Sequence, residues 1–117
     1  MKRFGLPRTC ILRKSREFMQ VYQQGRRLKG SGFSLIFLAN DTGCSRLGIS
    51  IHRMLRGSVR RNRIKRIVRE VFRMHRDIFP PASDIVVTIG PHFRLLTAES
   101  VRQGIVGLTV PDQVKKS

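Results

Sequence analysis

Arg60, Arg61, Arg63, Lys65, Arg66, Arg69 and Arg73 crowd into fourteen consecutive positions, with Asn62 among them. From Arg53 to Arg76 there are ten Lys or Arg residues and a single acid, Glu70. These residue types bind anions. Guanidinium forks grip phosphate oxygens bidentately, and an ammonium such as that of Lys65 adds a point charge. The Asn62 amide can donate to a phosphate or a 2′-hydroxyl. Ile64, Ile67, Val68, Val71 and Phe72 recur at steps of three and four, the spacing of one helical stripe. The opposite face then carries Arg61, Asn62, Lys65, Arg66, Arg69, Arg73 and Arg76. Like charges at i,i+4 repel along a helix. A solvated surface is the usual meaning of a charge run, but this run is single-signed and nearly without compensating acids. An external polyanion, a nucleic acid, is the partner that such a helix calls for.

Aromatic residues form a second constellation. Phe18 and Tyr22 stand at i,i+4 beside Arg16, Arg26 and Arg27, and Phe33 and Phe37 follow. Core packing explains any one of these rings. As a group between cations they suit single-stranded nucleic acid, whose bases stack while its phosphates are neutralised. Gly48 and Ser50, small residues on one face of a strand, would leave room for such a groove.

Other chemistry is hard to assemble. The seven acids show no paired-carboxylate spacing, and His52, His75 and His92 stand apart. There is no glycine-rich phosphate loop and no nucleophile elbow. Cys10 and Cys44, the two cysteines, lack the four-ligand pattern of a zinc site. They read as incidental thiols of a reducing compartment, with a disulfide as the lesser reading. No catalytic residue and no metal ligand are expected on the chain itself.

The elements that position these residues are legible in outline. The chain is one domain of 117 residues, 40% hydrophobic, with a net charge of +17, so it can bury a core and should bind polyanions in a salt-dependent way. No apolar run is long enough to span a membrane, and no secretion signal is recognised at the start. Residues 1–14 are expected to be a basic, flexible N-terminus and 111–117 a disordered tail. Ser15 is the expected N-cap of a first helix that Gly25 ends. Residues 26–32 suit a strand start or a loop. Phe33–Leu38 and Leu47–Ile51 alternate as strands, and the turn residues Asn40-Asp41-Thr42-Gly43 between them suggest an antiparallel hairpin. The long basic helix must stop before Pro80-Pro81. Ile85–Ile89 is a near-continuous apolar run, the mark of a central strand. Thr97 can cap a last helix carrying Val101, Ile105 and Leu108, which Gly104 and Gly107 weaken. The order predicts an α/β (α+β) two-layer sandwich with about four strands and three helices.

Arg61-Asn-Arg-Ile-Lys-Arg-Ile-Val-Arg69 resembles the signature helix of the bacterial ribonuclease P protein family, Arg-Asn-Arg-x-Lys-Arg-x-x-Arg, at every fixed position. Leu12-Arg-Lys with Phe18, Tyr22 and Gly25 is similar to that family's opening. Leu47-Gly-Ile-Ser-Ile is similar to its central strand, and Asp84-Ile-Val-Val to its late strand. The resemblance covers roughly residues 12–110 in order. It implies a left-handed β-α-β crossover around the signature helix. It also implies a ribonucleoprotein endonuclease that removes the 5′ leader of precursor tRNA. In that enzyme the RNA subunit catalyses, with magnesium ions bound mainly by RNA and substrate and no organic cofactor. Arg60, Arg61, Asn62, Arg63, Lys65, Arg66, Arg69 and Arg73 would contact the catalytic RNA. Arg13, Lys14, Phe18, Tyr22, Phe33, Ile36 and Ser50 would line a cleft for the leader. The setting implied is the bacterial cytoplasm, with no membrane and no obligate protein partner. A ribosomal or RNA-chaperone protein would share the charge but leave precursor cleavage unchanged. A stand-alone nuclease would cut without added RNA. DNA binding is disfavoured, because no helix-turn-helix or zinc framework is seen.

Overall fold

The computed structural model describes residues 10–116, with side chains described for 10–111. In chain order its elements are α1 (Ser15–Gln24), β1 (Arg26–Lys29), β2 (Phe33–Ala39), β3 (Arg46–Ile51), α2 (Ser58–Met74), β4 (Ser83–Ile89) and α3 (Ala98–Lys116), with a 3-10 turn, Arg76–Ile78, after α2. The strands form one sheet in the order β1-β2-β4-β3.

The apolar run of β4 decides this order. Every residue of β4 except Thr88 is buried, so both faces and both edges of the strand need cover. It receives β2 antiparallel on one edge and β3 parallel on the other. The expected hairpin of β2 with β3 is therefore wrong. Pairing those two strands would push β4 to an edge and leave its backbone groups unmatched on one side. The hairpin that does form joins β1 to β2. The connection from β3 to β4 runs through α2, so the basic helix is the crossover between parallel neighbours.

Alternation along the strands sorts residues to two faces. Phe33, Leu35, Leu47, Ile85, Val87 and Ile89 join Ile64, Val68, Val71 and Phe72 of α2 and Val101 and Ile105 of α3 in the main core. Full burial of each such side chain is worth about 1.5–3 kcal/mol, which offsets the self-repulsion of the basic helix. The α2 stripe is thus the expected one, with Ile67 only partly buried at its margin. The glycines do not break α3. A Cβ on Gly104 would lie 3.1 Å from Leu95 Cδ1 and 3.2 Å from Phe33 Cζ, so the small residue lets the helix approach the sheet.

The opposite face is covered only in part, by α1. Val21, Leu12, Ile36 and Val86 form a second core with Phe18, Tyr22 and Leu38 packed around it. Ser15 is not the N-cap here; it is the first helical residue. The cap is made backwards, by the Glu17 carboxylate accepting from the backbone N–H groups of Arg13 and Lys14, both at 3.2 Å, because Lys14 has no acceptor to offer. Gly25 closes the helix with extended backbone rather than in the left-handed region. Its lack of a side chain is still required, since a Cβ would lie 2.4 Å from the Val21 carbonyl oxygen.

The described residues at both ends take part in regular structure. Residues 10–14 are not loose: Ile11 bridges Leu47 of β3, and the Leu12 N–H donates to the Leu47 carbonyl at 2.9 Å. The anchor is Leu12, which is buried beneath α1. The rest of that expected flexible segment, 1–9, lies outside the described residues. At the other end α3 continues through Pro111 to Lys116 where a disordered tail was expected. Its backbone ladder carries on past the proline, which removes a single N–H donor.

Arg46 fastens α1 to the sheet. Its Nε and Nη2 grip Asp84 at 2.8 and 2.7 Å, and its Nη1 reaches Glu17 at 3.1 Å. The Asn40 amide donates to the same Asp84 at 2.8 Å. Burial alone would raise the Asp84 carboxyl, but the Arg46 fork and Asn40 outweigh it and hold it below its ordinary value. Glu17 is likewise lowered, because the two backbone N–H groups and Arg46 outweigh its desolvation. Carboxylates lowered on folding stabilise the protein above their unfolded-state pKa, about 4, and that stability is lost as pH falls through the folded values. Chemical denaturation followed by circular dichroism should show a midpoint that is flat near neutrality and falls below about pH 4. Arg46→Met should cost about 2 kcal/mol at neutral pH and flatten the acid limb. An unchanged acid limb would mean that α1 is held by packing alone.

Candidate nucleic-acid interface

At 100° per residue, Asn62, Arg66, Arg69 and Arg73 fall along the side of α2 opposite its buried stripe. Asn62, Arg66 and Arg69 are exposed, and Arg73 is half-buried. Arg73 pairs with Glu70 at 2.6 Å, the one acid of the helix. Among the described residues, Arg63, Arg66 and Arg69 make no side-chain hydrogen bond or ion pair, so their guanidinium groups stand ready for an outside anion. Lys65 is half-buried on one flank, and Arg63 is exposed on the other. The first turn adds to the field. Gly57, the N-cap, has φ of 94° and no side chain to satisfy the free N–H groups, which leaves them to an anion.

Two of the expected contact residues have other work. Arg61 lies at the edge of the buried stripe and donates through Nη1 to the carbonyls of His52 and Leu55, at 3.3 and 3.1 Å. It shapes the loop before α2 rather than projecting outward. Arg60 Nη2 reaches the Phe93 carbonyl at 3.3 Å and ties α2 to the segment after β4. Arg76, read as the end of the basic face, lies beyond α2 in the 3-10 turn, with its guanidinium 4.8 Å from the Phe72 ring centre.

The second constellation is at the partly covered sheet face. Here α1 lies over Ile36, Val86 and Gly48, which sit in one row across β2, β4 and β3. A Cβ on Gly48 would come within 2.6 Å of Phe18 Cζ, so the glycine lets the ring settle on the sheet. The next row along the strands is Ser34, Thr88 and Ser50. In that row Ser34 is buried, and Thr88 and Ser50 are half-buried. The row forms a hydroxyl-bearing floor beside the half-buried Phe18 and Tyr22. Arg27 and Lys29 of the edge strand β1 share this face, by their register with Ile36 and Ser34, and both are exposed. Arg13 and Lys14 are exposed at the start of α1.

The comparisons with known proteins speak with one voice. The family model described as Ribonuclease P matches residues 6–110. This chain belongs to the ribonuclease P protein family. It is 55% identical over 108 residues to the ribonuclease P protein component of Desulfotalea psychrophila, which covers 92% of this chain and 90% of that relative. It is 34% identical over 101 residues to the Thermotoga maritima component, covering 83% of this chain and 86% of the relative. Among solved structures, the Staphylococcus aureus RNase P protein superposes with a TM-score of 0.78 at 26% identity, over 90% of this chain and 96% of that one. The chain is therefore a protein subunit of ribonuclease P. It works as part of a ribonucleoprotein endoribonuclease whose RNA subunit is catalytic.

Within this ribonuclease P subunit the expected cleft needs two corrections. Phe33 is on the other face of the sheet, packed edge-on against Phe93 with ring centres 6.0 Å apart. Strand alternation forbids it from sharing a face with Ile36 and Ser34. Ile36 is on the α1 face but only 1% exposed, so it supports the helix and offers nothing to stack upon. Ser34, Thr88 and Lys29 share that face by register and were not named for the cleft, whereas Arg27 was placed beside the aromatics. The signals were present: Thr88 interrupts the apolar run of β4, and Ser34 sits between Phe33 and Leu35.

Among the described residues no group of three His, Cys, Asp or Glu side chains is placed to hold a metal ion, and no helix is long and apolar enough to cross a membrane. If Arg66 and Arg69 meet phosphates while Arg61 holds the loop, their effects on RNA binding should differ in kind. Arg66→Ala with Arg69→Ala should lower the slope of log Kd against log salt by about two. Arg61→Ala should weaken binding with a smaller change in slope. Equal slopes for the double variant and the parent, measured by filter binding to ribonuclease P RNA, would remove that face from the contact.

Proposed function

We propose that this subunit uses its two layers for two RNAs. The outward face of α2, with Asn62, Arg63, Lys65, Arg66, Arg69 and Arg73, holds the catalytic RNA. The groove beside α1 takes the 5′ leader of precursor tRNA. Leader bases stack at Phe18 and Tyr22, and the Thr88 and Ser50 hydroxyls face the chain of sugars and phosphates. Arg27, Lys29, Arg13 and Lys14 neutralise phosphates along the rim. The observation that carries this reading is the pair of half-buried hydroxyls, Thr88 and Ser50, in one row with half-buried aromatics beside it, on a face separate from the basic helix.

Among the described residues the acids do not gather into a magnesium site. Glu17 and Asp84 are committed to Arg46, and Glu70 to Arg73. In this reading the ions sit on RNA and substrate, and the protein contributes by lowering the repulsion between the two RNAs. It does so in the bacterial cytoplasm, without a membrane or an obligate protein partner.

The groove is tested by comparing leader-bearing precursor with mature tRNA on the reconstituted ribonucleoprotein. Thr88→Leu and Tyr22→Ala should each weaken precursor binding by roughly ten-fold, the loss of about 1–3 kcal/mol of stacking or contact, and leave mature tRNA binding nearly unchanged. Equal losses on both substrates would place the leader elsewhere.

A further inference from the structure

Cys10 and Cys44 are 34 residues apart in sequence, yet their Sγ atoms stand 3.3 Å apart. The expectation of two incidental thiols does not describe this geometry. Both sulfurs are held in place. Cys10 is buried at the start of the segment that bridges β3 through Ile11, and Arg76 Nη2 lies 3.7 Å from its Sγ. Cys44 is half-buried in the turn between β2 and β3. Its carbonyl accepts from Asn40 Nδ2 and from Thr42 Oγ1, each at 3.1 Å, and Asn40 is itself bonded to Asp84.

We propose that Cys10 and Cys44 form a reversible dithiol–disulfide site whose co-reactant is a small-molecule disulfide. Cys44, the more accessible, gives up its proton, and its thiolate attacks one sulfur of the external disulfide. That S–S bond breaks, a mixed disulfide forms on Cys44, and one small thiolate leaves and takes the proton. Cys10 then gives up its proton, its thiolate attacks Cys44 Sγ, the mixed S–S bond breaks, and the second small thiolate leaves and takes that proton. Two protein thiols are oxidised and one external disulfide is reduced to two thiols, so no other reactant is needed. Arg76 places positive charge beside Cys10 as that thiolate develops. The Cys44 thiol is raised by its hydrogen bond to Cys10 and by burial, against the pull of Arg76, so the first step quickens as the solution turns alkaline.

A covalent bond of about 2.05 Å requires the sulfurs to close by little more than an ångström. The product ties the N-terminal segment to the β2–β3 turn and closes a loop containing α1, β1 and β2. Pairs of this kind in a reducing compartment are transient and respond to redox state rather than serving as permanent staples. This inference does not depend on where the leader lies.

The test is to incubate the full chain with oxidised glutathione at mildly alkaline pH, alkylate it, and measure intact mass and melting temperature. The wild-type protein should stay monomeric, escape alkylation, weigh two hydrogens less and melt higher by on the order of 10 °C. Dithiothreitol should reverse all three changes. Cys10→Ser should retain glutathione on Cys44, and Cys44→Ser should leave Cys10 unreactive until denaturant is added. A wild-type protein that retains glutathione, or that links to a second copy, would overturn the proposal whether or not either variant folds.

Discussion

The burial of β4 is the constraint from which the rest of the molecule follows. A strand that is apolar on both faces must sit between two other strands and between two layers. Placing β2 and β3 on its edges leaves β1 to pair outside β2. It also forces the chain from β3 to β4 to cross the sheet, and the segment that crosses is the basic helix. The position of α2 against the sheet is thus set by the strand it leads to. Its charged side faces outward because its other side is needed by the core.

Charge is then a matter of which acids remain available. Glu17 and Asp84 are bound to Arg46, Glu70 to Arg73 and Glu99 to Arg102. Four of the seven acids are therefore committed to arginines, and the first two serve to attach α1. The remaining cations have little to balance them at a net charge of +17. The core pays for this imbalance with the apolar stripe of α2, and RNA relieves it. The same attachment of α1, a ten-residue helix, goes with a sheet row in which Thr88 and Ser50 stay half-exposed while Ser34 is buried.

Much of this was legible in the sequence, for reasons that differ by element. The stripe of α2 showed because a helix repeats its faces locally. The strands showed because alternation is local too. Which strands pair is not a local property. The turn chemistry of Asn40-Asp41-Thr42-Gly43 suggested a hairpin that the burial needs of β4 overruled. Arg61 counted as an outward cation by composition, yet it is turned to loop carbonyls that no pattern announces. Phe33 was assigned to the groove by its ring, although its position in the alternation already placed it on the other face. Ser34 and Thr88 look like ordinary polar positions until the register sets them in a row with Ser50. The meeting of Cys10 and Cys44 depends on the whole fold and leaves no trace in spacing.

The signature helix carries the family resemblance, and the proposed division of labour assigns the two RNAs to two surfaces. The direct measurement is cleavage of precursor tRNA at low magnesium by a bacterial ribonuclease P RNA, with this protein, without it, and with the protein alone. The account predicts faster cleavage at the mature 5′ end only when RNA and protein are together, with the gain lost on a substrate whose leader is trimmed away. Cleavage by the protein alone, or an equal gain on the trimmed substrate, would contradict it.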